Sequence, residues 1–319
     1  MGIQEHGTLA HGRPGIDPPD VPRPPESFEC RMLTLPDGRR LSYLAAGARD
    51  GYPVIYCHGF PSSRFEALNF DQAARRRGIT LIAADRPGYG QSGFLEQRTL
   101  RAWAKDVAAL ADALGLERFS VMGVSGGAPY ALACALDMPE RVERLALVGG
   151  IGPMDAPGAT EGMGRVPASF VACARRWPHL ATFAYARLAG PVMYRFPRLV
   201  TRLLSSAAPD ADRAVIDSPW QRRLQWASYR EAFRQGGRGA AWDLRLYTQP
   251  WELDPGHLSV PSFLWHGEAD RTVPAAMGRA YAVQIPHCRA RFLPGEGHFS
   301  LTANHAGGIL ADLAGGAGT

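Results

Sequence analysis

Two short apolar runs, 28–35 and 39–45, flank Pro36-Asp37-Gly38, a turn sequence that favours a hairpin. The period then changes. Compact apolar runs at 54–57, 79–84, 118–124 and 142–148 read as buried strands, and the stretches 62–77, 100–114 and 126–137 between them carry helical spacing. Strands that alternate with helices pair in parallel and take helices on both faces. The pattern therefore predicts an α/β fold with a mostly parallel sheet after an antiparallel start.

After Gly149-Gly150 the alternation stops for about a hundred residues. Phe196, Leu199, Val200, Leu203, Leu204 and Ala207 recur at three- and four-residue spacing, with Pro197 in the first turn, and predict an amphipathic helix. A second helix is expected over 221–234, closed by Gly236-Gly237. Alternation resumes with a strand at 259–265, a helix at 275–283, a strand at 289–293 and a last helix near 303–313. A helical insert that interrupts a regular sheet fold is most simply a cap over one sheet edge. The expected organisation is a disordered arm over 1–27, a first part of the core domain over 28–150, a helical cap over 151–240 and a second part of the core over 241–319. The arm carries six prolines and four glycines, with too few apolar residues to offset the cost of ordering.

Composition alters this picture little. An apolar share of 46% and a charged share of 20% over 319 residues are those of an ordinary globular chain. The net charge of +5 points to an acidic partner only until the residues are inspected. Lys105 is the only lysine, the arginines read as scattered between acids, and the run Arg75-Arg76-Arg77 closes a predicted helix, where cations complement the carbonyl end. No nucleic-acid partner is expected. The five cysteines are odd in number and widely spaced, which fits neither a disulfide framework nor a zinc site; small buried hydrophobes are the default reading. The first residues lack the basic start and apolar stretch of a signal peptide. No window approaches the ~18 uninterrupted apolar residues of a membrane span, so a cytoplasmic chain with no span is expected. The sequence specifies no oligomeric state.

Candidate chemistry concentrates where strand 118–124 gives way to helix 126–137. Gly123-Val124-Ser125-Gly126-Gly127 places a serine between glycines at a strand-to-helix turn, the G-x-S-x-G nucleophile elbow. The motif alone is common by chance; the strand before it and the helix after it make it specific. A serine hydroxyl is a poor nucleophile at neutral pH. It needs an imidazole to accept its proton and a carboxylate to hold that imidazole's tautomer. Active sites of parallel sheets collect at the carboxyl ends of strands, where Trp265–Asp270 and Gly295–Phe299 fall late in the chain. His298, flanked by glycine and following the acid, is the expected base. Asp270 is its expected orienting acid, with Glu268 and Asp155 left open as alternatives. Oxyanion charge would meet the Gly126 amide at the positive end of the helix. The second donor is the amide of Phe60 in the loop after strand 54–57, where Pro61 cannot donate. His58 and Asp243 are expected to be structural.

With these residues in place the chain resembles the α/β-hydrolase superfamily over roughly residues 28–314, and within it the capped, serine-nucleophile branch of esterases and haloperoxidase-like members. The resemblance rests on HGFP at 58–61, DRPGYGQS at 85–92, GVSGG at 123–127, HGEAD-RTVP at 266–274 and GEGHF at 295–299, in that order. It implies a mostly parallel eight-stranded sheet flanked by helices, a helical cap insertion, a Ser125–His298–Asp270 triad, and no metal or organic cofactor. Asp85 and Arg86 then brace a turn near the pocket. Serine at the nucleophile position argues against relatives that form an aspartyl ester. Gly126, lacking a side chain, is expected to widen the acyl side of the pocket.

The expected function is hydrolysis of a small carboxylic ester or thioester through an acyl-enzyme. A small-molecule substrate with an apolar portion fits the aromatic bias of the insert, as at Trp177, Phe183, Tyr185 and Trp226, most of which are expected in the cap's own core. The same triad serves amide, lactone or carbon–carbon bond hydrolysis and cofactor-free perhydrolysis. A non-catalytic ligand receptor on this fold is the reading from another class, and the intact Ser125, Asp270 and His298 argue against it.

Overall fold

The structure, a computed structural model, describes residues 25–314 apart from 155 and 157. The arm expected over 1–27 lies outside the described residues as far as 24, and so does Asp155. Pro25–Ser27 form a short 3-10 turn with Pro25 buried, so order begins slightly before the expected boundary.

Among the described residues eight strands form one sheet: β1 (Arg31–Thr34), β2 (Arg40–Gly47), β3 (Tyr52–Cys57), β4 (Ile79–Ala84), β5 (Phe119–Val124), β6 (Val142–Val148), β7 (Ser262–Gly267) and β8 (Arg289–Leu293). Their order is β1-β2-β4-β3-β5-β6-β7-β8. β1 pairs with β2, and β2 with β4, antiparallel; every later pair is parallel. The β1–β2 turn closes through Gly38 at φ +83°, a left-handed conformation that glycine adopts without penalty.

Alternation along the central strands divides the core into two layers. Ile55, Cys57, Val121, Leu145 and Leu147 face α2 (Ala102–Ala113), α3 (Ala128–Asp137) and α11 (Ala275–Gln284). Their neighbours Val54, Tyr56, Met122, Ala146 and Val148 face α1 (Asp71–Arg76) and α12 (His298–Ala314). Each such side chain leaves water completely or nearly so, worth roughly 1.5–3 kcal/mol for the larger ones.

Between β6 and β7 the chain inserts α4 (Arg165–Arg176), α5 (Pro178–Ala184), α6 (Gly190–Arg195), α7 (Pro197–Ala207), α8 (Asp210–Ile216), α9 (Pro219–Ala232) and α10 (Arg238–Tyr247). Of these, α7 and α9 correspond to the two helices that the spacing predicts. α10 runs straight through residue 240, so the insertion rejoins the sheet only after Tyr247.

Two further differences concern elements next to the site. The stretch after β3 starts as a 3-10 helix, Arg64–Phe70, before α1. The last helix begins at His298, earlier than its apolar spacing implies.

Candidate active site

β5 ends at the serine. Ser125 takes φ +53°, an uncommon conformation for a non-glycine residue and the mark of a tight strand-to-helix turn. The glycines around it are required by packing. A Cβ on Gly123 would stand 2.6 Å from the Gly127 carbonyl, and one on Gly127 would overlap the Cys57 carbonyl. Ser125 is buried, and its hydroxyl points at a histidine.

That histidine is His298. Its Nε2 lies 3.0 Å from Ser125 Oγ, and its Nδ1 lies 2.6 Å from Asp270 Oδ2. Asp270 Oδ1 accepts the Thr272 and Val273 amides, each at 2.8 Å. In the tautomer that carries its proton on Nδ1, facing the carboxylate, Nε2 would be left to accept from Ser125. Burial alone would lower the His298 pKa. The Asp270 charge and hydrogen bond outweigh it, with Asp212 and Glu66 adding to them, and push it up to about 9. Glu268, two residues before Asp270, pairs instead with Arg279 at 2.7 Å.

The two expected oxyanion donors are neighbours. A Cβ built on Gly126 would sit 3.1 Å from the Phe60 nitrogen, 2.6 Å from Phe60 Cβ and 2.8 Å from Tyr247 Oη. The space beside Gly126 is thus already filled by Phe60 and Tyr247. The expected widening of the pocket at this position does not occur; the missing side chain admits these two residues. The Gly126 amide lies in the first turn of a helix, where amides have no intrahelical acceptor. Glu66 occupies the neighbouring amide: its carboxylate takes the Gly59 N–H at 2.5 Å and the Tyr56 hydroxyl at 3.1 Å. Burial pushes the Glu66 carboxyl upward against those hydrogen bonds.

Several residues expected to be structural are so placed. His58 is fully buried, with Nδ1 3.0 Å from the Gly59 carbonyl and Nε2 accepting the Arg86 amide at 3.3 Å. Burial and the Arg86 charge hold its pKa well below the usual range. Arg86 donates to the carbonyls of His58 and Gly59, fixing the loop that carries the Phe60 amide. Behind it sits Asp243, whose Oδ2 meets Arg86 at 2.8 Å and Tyr89 at 2.7 Å, while its Oδ1 accepts Tyr130 at 2.6 Å and pairs with Arg98. Burial would raise the Asp243 pKa, but the two guanidinium groups hold it far below the carboxylate range. Asp85 pairs with Arg64 and Ser42 and braces the turn after β4.

One residue of the site is invisible to motif reading. Asp212, on α8 and 1% exposed, accepts three consecutive amides at the start of α12: His298 at 2.8 Å, Phe299 at 2.8 Å and Ser300 at 2.9 Å. It caps the helix that carries the histidine from 86 positions away. A Cβ on Gly297 would overlap its carboxylate, which accounts for glycine there. A cleft of 790 Å³ lies elsewhere, between Phe94, Arg98, His179 and Trp242, and Ser125, His298, Asp270, Phe60 and Gly126 do not line it.

An eight-stranded, mostly parallel sheet with a serine elbow after β5, an acid after β7 and a histidine after β8 defines a class of enzyme. The family described as alpha/beta hydrolase fold matches residues 52–303, and the chain belongs to it. It is 26% identical over 286 residues to a non-heme haloperoxidase of Rhodococcus erythropolis, covering 88% of this chain and 97% of that protein. It is 36% identical over 124 residues to a non-heme chloroperoxidase of Streptomyces lividans, 38% of this chain and 45% of that one. Among solved structures, a hydrolase from Pseudomonas aeruginosa PA01 superposes with a TM-score of 0.65 at 20% identity, over 89% of this chain and 98% of that one. The esterase RhEst1 from a Rhodococcus species superposes with a TM-score of 0.62 at 21% identity, over 91% and 99%.

Proposed function

We propose that the chain is a serine hydrolase that cleaves a small carboxylic ester or thioester through an acyl-enzyme. The observation that carries this reading is the chain of short contacts from Ser125 Oγ through His298 to Asp270, at 3.0 and 2.6 Å. Ser125 Oγ attacks the carbonyl carbon while His298 Nε2 takes its proton. Asp270 holds the imidazole and stabilises its charged form. The Phe60 and Gly126 amides receive the oxyanion. The tetrahedral intermediate then collapses: His298 returns the proton to the leaving alcohol or thiol, and the acyl group stays on Ser125. Water, deprotonated by His298, repeats the attack and releases the acid.

A second reading shares the first half-reaction. Hydrogen peroxide in place of water would release a peracid, and the match to a non-heme haloperoxidase along nearly the whole chain favours testing it. The experiment is labelling with a fluorophosphonate probe beside turnover of p-nitrophenyl esters of increasing acyl length, each with and without peroxide. Ser125→Ala is expected to abolish labelling and lower turnover by several orders of magnitude. Normal esterase activity in Ser125→Ala refutes the reading.

A further inference from the structure

On the outward side of the inserted helices the usual partition of side chains is reversed. In α7 the residues that face the protein are Pro197, Thr201 and Ser205, one turn apart, while Leu199 and Leu203 stand in solvent, Leu203 at 60% exposure. The apolar stripe that predicts an amphipathic helix is there, but it points outward. The preceding elements repeat this arrangement. Ala181 and Tyr185 are buried, and Leu180 and Leu188 are exposed, Leu188 at 66%. Val166 at the start of α4 is 76% exposed. These elements pack on one another in chain order: α4 on α5, α5 on the π-helical turn Tyr185–Ala189, that turn on α6, and α6 on α7.

The charge of this segment is equally one-sided. Between Glu161 and Asp210 the chain has seven arginines and no aspartate or glutamate, so the basic residues are not scattered evenly among acids. All seven are exposed, and none has an acidic partner within ion-pair distance among the described residues. Arginines elsewhere, such as Arg39, Arg64, Arg86 and Arg98, are paired. Several of the unpaired ones lie over aromatic rings: Arg176 at 5.4 Å from the Trp177 ring, Arg195 at 5.8 Å from Phe196 and Arg198 at 4.8 Å from Trp226.

Helices with a leucine and aromatic face bordered by unpaired arginines are built for the plane where acyl chains meet headgroups. We propose that the outward face of α4–α7 docks on the surface of a bilayer that contains anionic lipid. A second copy of the chain is disfavoured as occupant, because it would set the same seven arginines against their equals. Nucleic acid would meet the charge but leave Leu199, Leu203 and Val166 in water. The opposite side of the insertion carries Asp212, Asp243 and Tyr247, so docking leaves the Ser125 machinery untouched and the proposal stands or falls apart from the chemistry.

The test is co-sedimentation of the full chain with vesicles of phosphatidylcholine alone and of phosphatidylcholine with phosphatidylglycerol in equal parts. Binding is expected to the mixed vesicles, weakly or not at all to phosphatidylcholine, and to fade at about 0.5 M salt, where the Debye length falls to a few ångströms. L199S/L203S should weaken binding at least tenfold. R195Q/R198Q/R202Q should weaken it on the order of a hundredfold, at about fivefold per arginine. Circular dichroism establishes that each variant is folded, and either folded variant suffices. Absence of anionic preference, or wild-type binding by a folded variant, overturns the proposal. So does a dimer in sedimentation velocity that L199S/L203S dissociates, or retention on a DNA duplex without retention on vesicles.

Discussion

His298 sits between opposed influences: burial favours its neutral form, and Asp270, Asp212 and Glu66 favour the charged one, which prevails. In the proposed role of base His298 must be neutral to accept the Ser125 proton, so activity would depend on deprotonating an imidazole whose pKa lies above its ordinary 6.5. The acidic limb of kcat/KM for a soluble ester is therefore expected to have its midpoint above 6.5, with activity lost as pH falls through it. In Asp270→Asn that midpoint should move down and kcat should drop by about 10⁴. A wild-type midpoint at or below 6.5 would contradict this account. His58 and His266 are held neutral by burial and do not confuse the profile.

At the scale of elements the informative case is α12. Its apolar spacing begins near 303, yet the helix starts at His298, because its first amides are satisfied by Asp212 from α8 and not by a neighbouring cap residue. Asp212→Ala removes an acceptor shared by three amides. Loss of such a cap costs about 0.5–2 kcal/mol. The first turn should loosen and His298 should lose its alignment. We expect kcat for a p-nitrophenyl ester to fall ten- to a hundredfold with KM little changed, and the midpoint of the pH profile to move down. A lower melting temperature with kcat and pH profile intact would reduce Asp212 to a structural cap. This element also marks where sequence reading stops. The alternating strands, the serine elbow, Asp270 and His298 are legible because each is specified by local spacing or by a short motif. Asp212, Glu66 and the outward-facing stripe of α7 are not, because each is defined by what packs against it from far along the chain. Gly126 makes the same point: its lack of a side chain is visible in the sequence, but the side chains that use the space, Phe60 and Tyr247, are not.

Over the whole molecule, insertion and sheet are joined by buried charge. Asp243 on α10 pairs with both Arg86 and Arg98, which are inaccessible to water or nearly so. Removing one partner of a buried pair typically costs 3–5 kcal/mol, because the other charge is left unpaired. Asp243→Ala is expected to lose at least that much in urea unfolding, with two guanidinium groups stranded. A loss under about 1 kcal/mol would mean that the network contributes little.

The anchors of the insertion reach the site at three places. Asp212 holds the helix of His298, Asp243 holds Arg86 and with it the loop of the Phe60 amide, and the Tyr247 hydroxyl donates to the Gly126 carbonyl at 2.8 Å. This sets a rule for chimaeras. Helices transplanted from a relative to change substrate preference must bring a carboxylate to the start of α12, another behind Arg86 and a hydroxyl over the elbow. A graft chosen only for the shape of its pocket would leave a well-folded sheet on which Ser125, His298 and the Phe60 loop no longer meet.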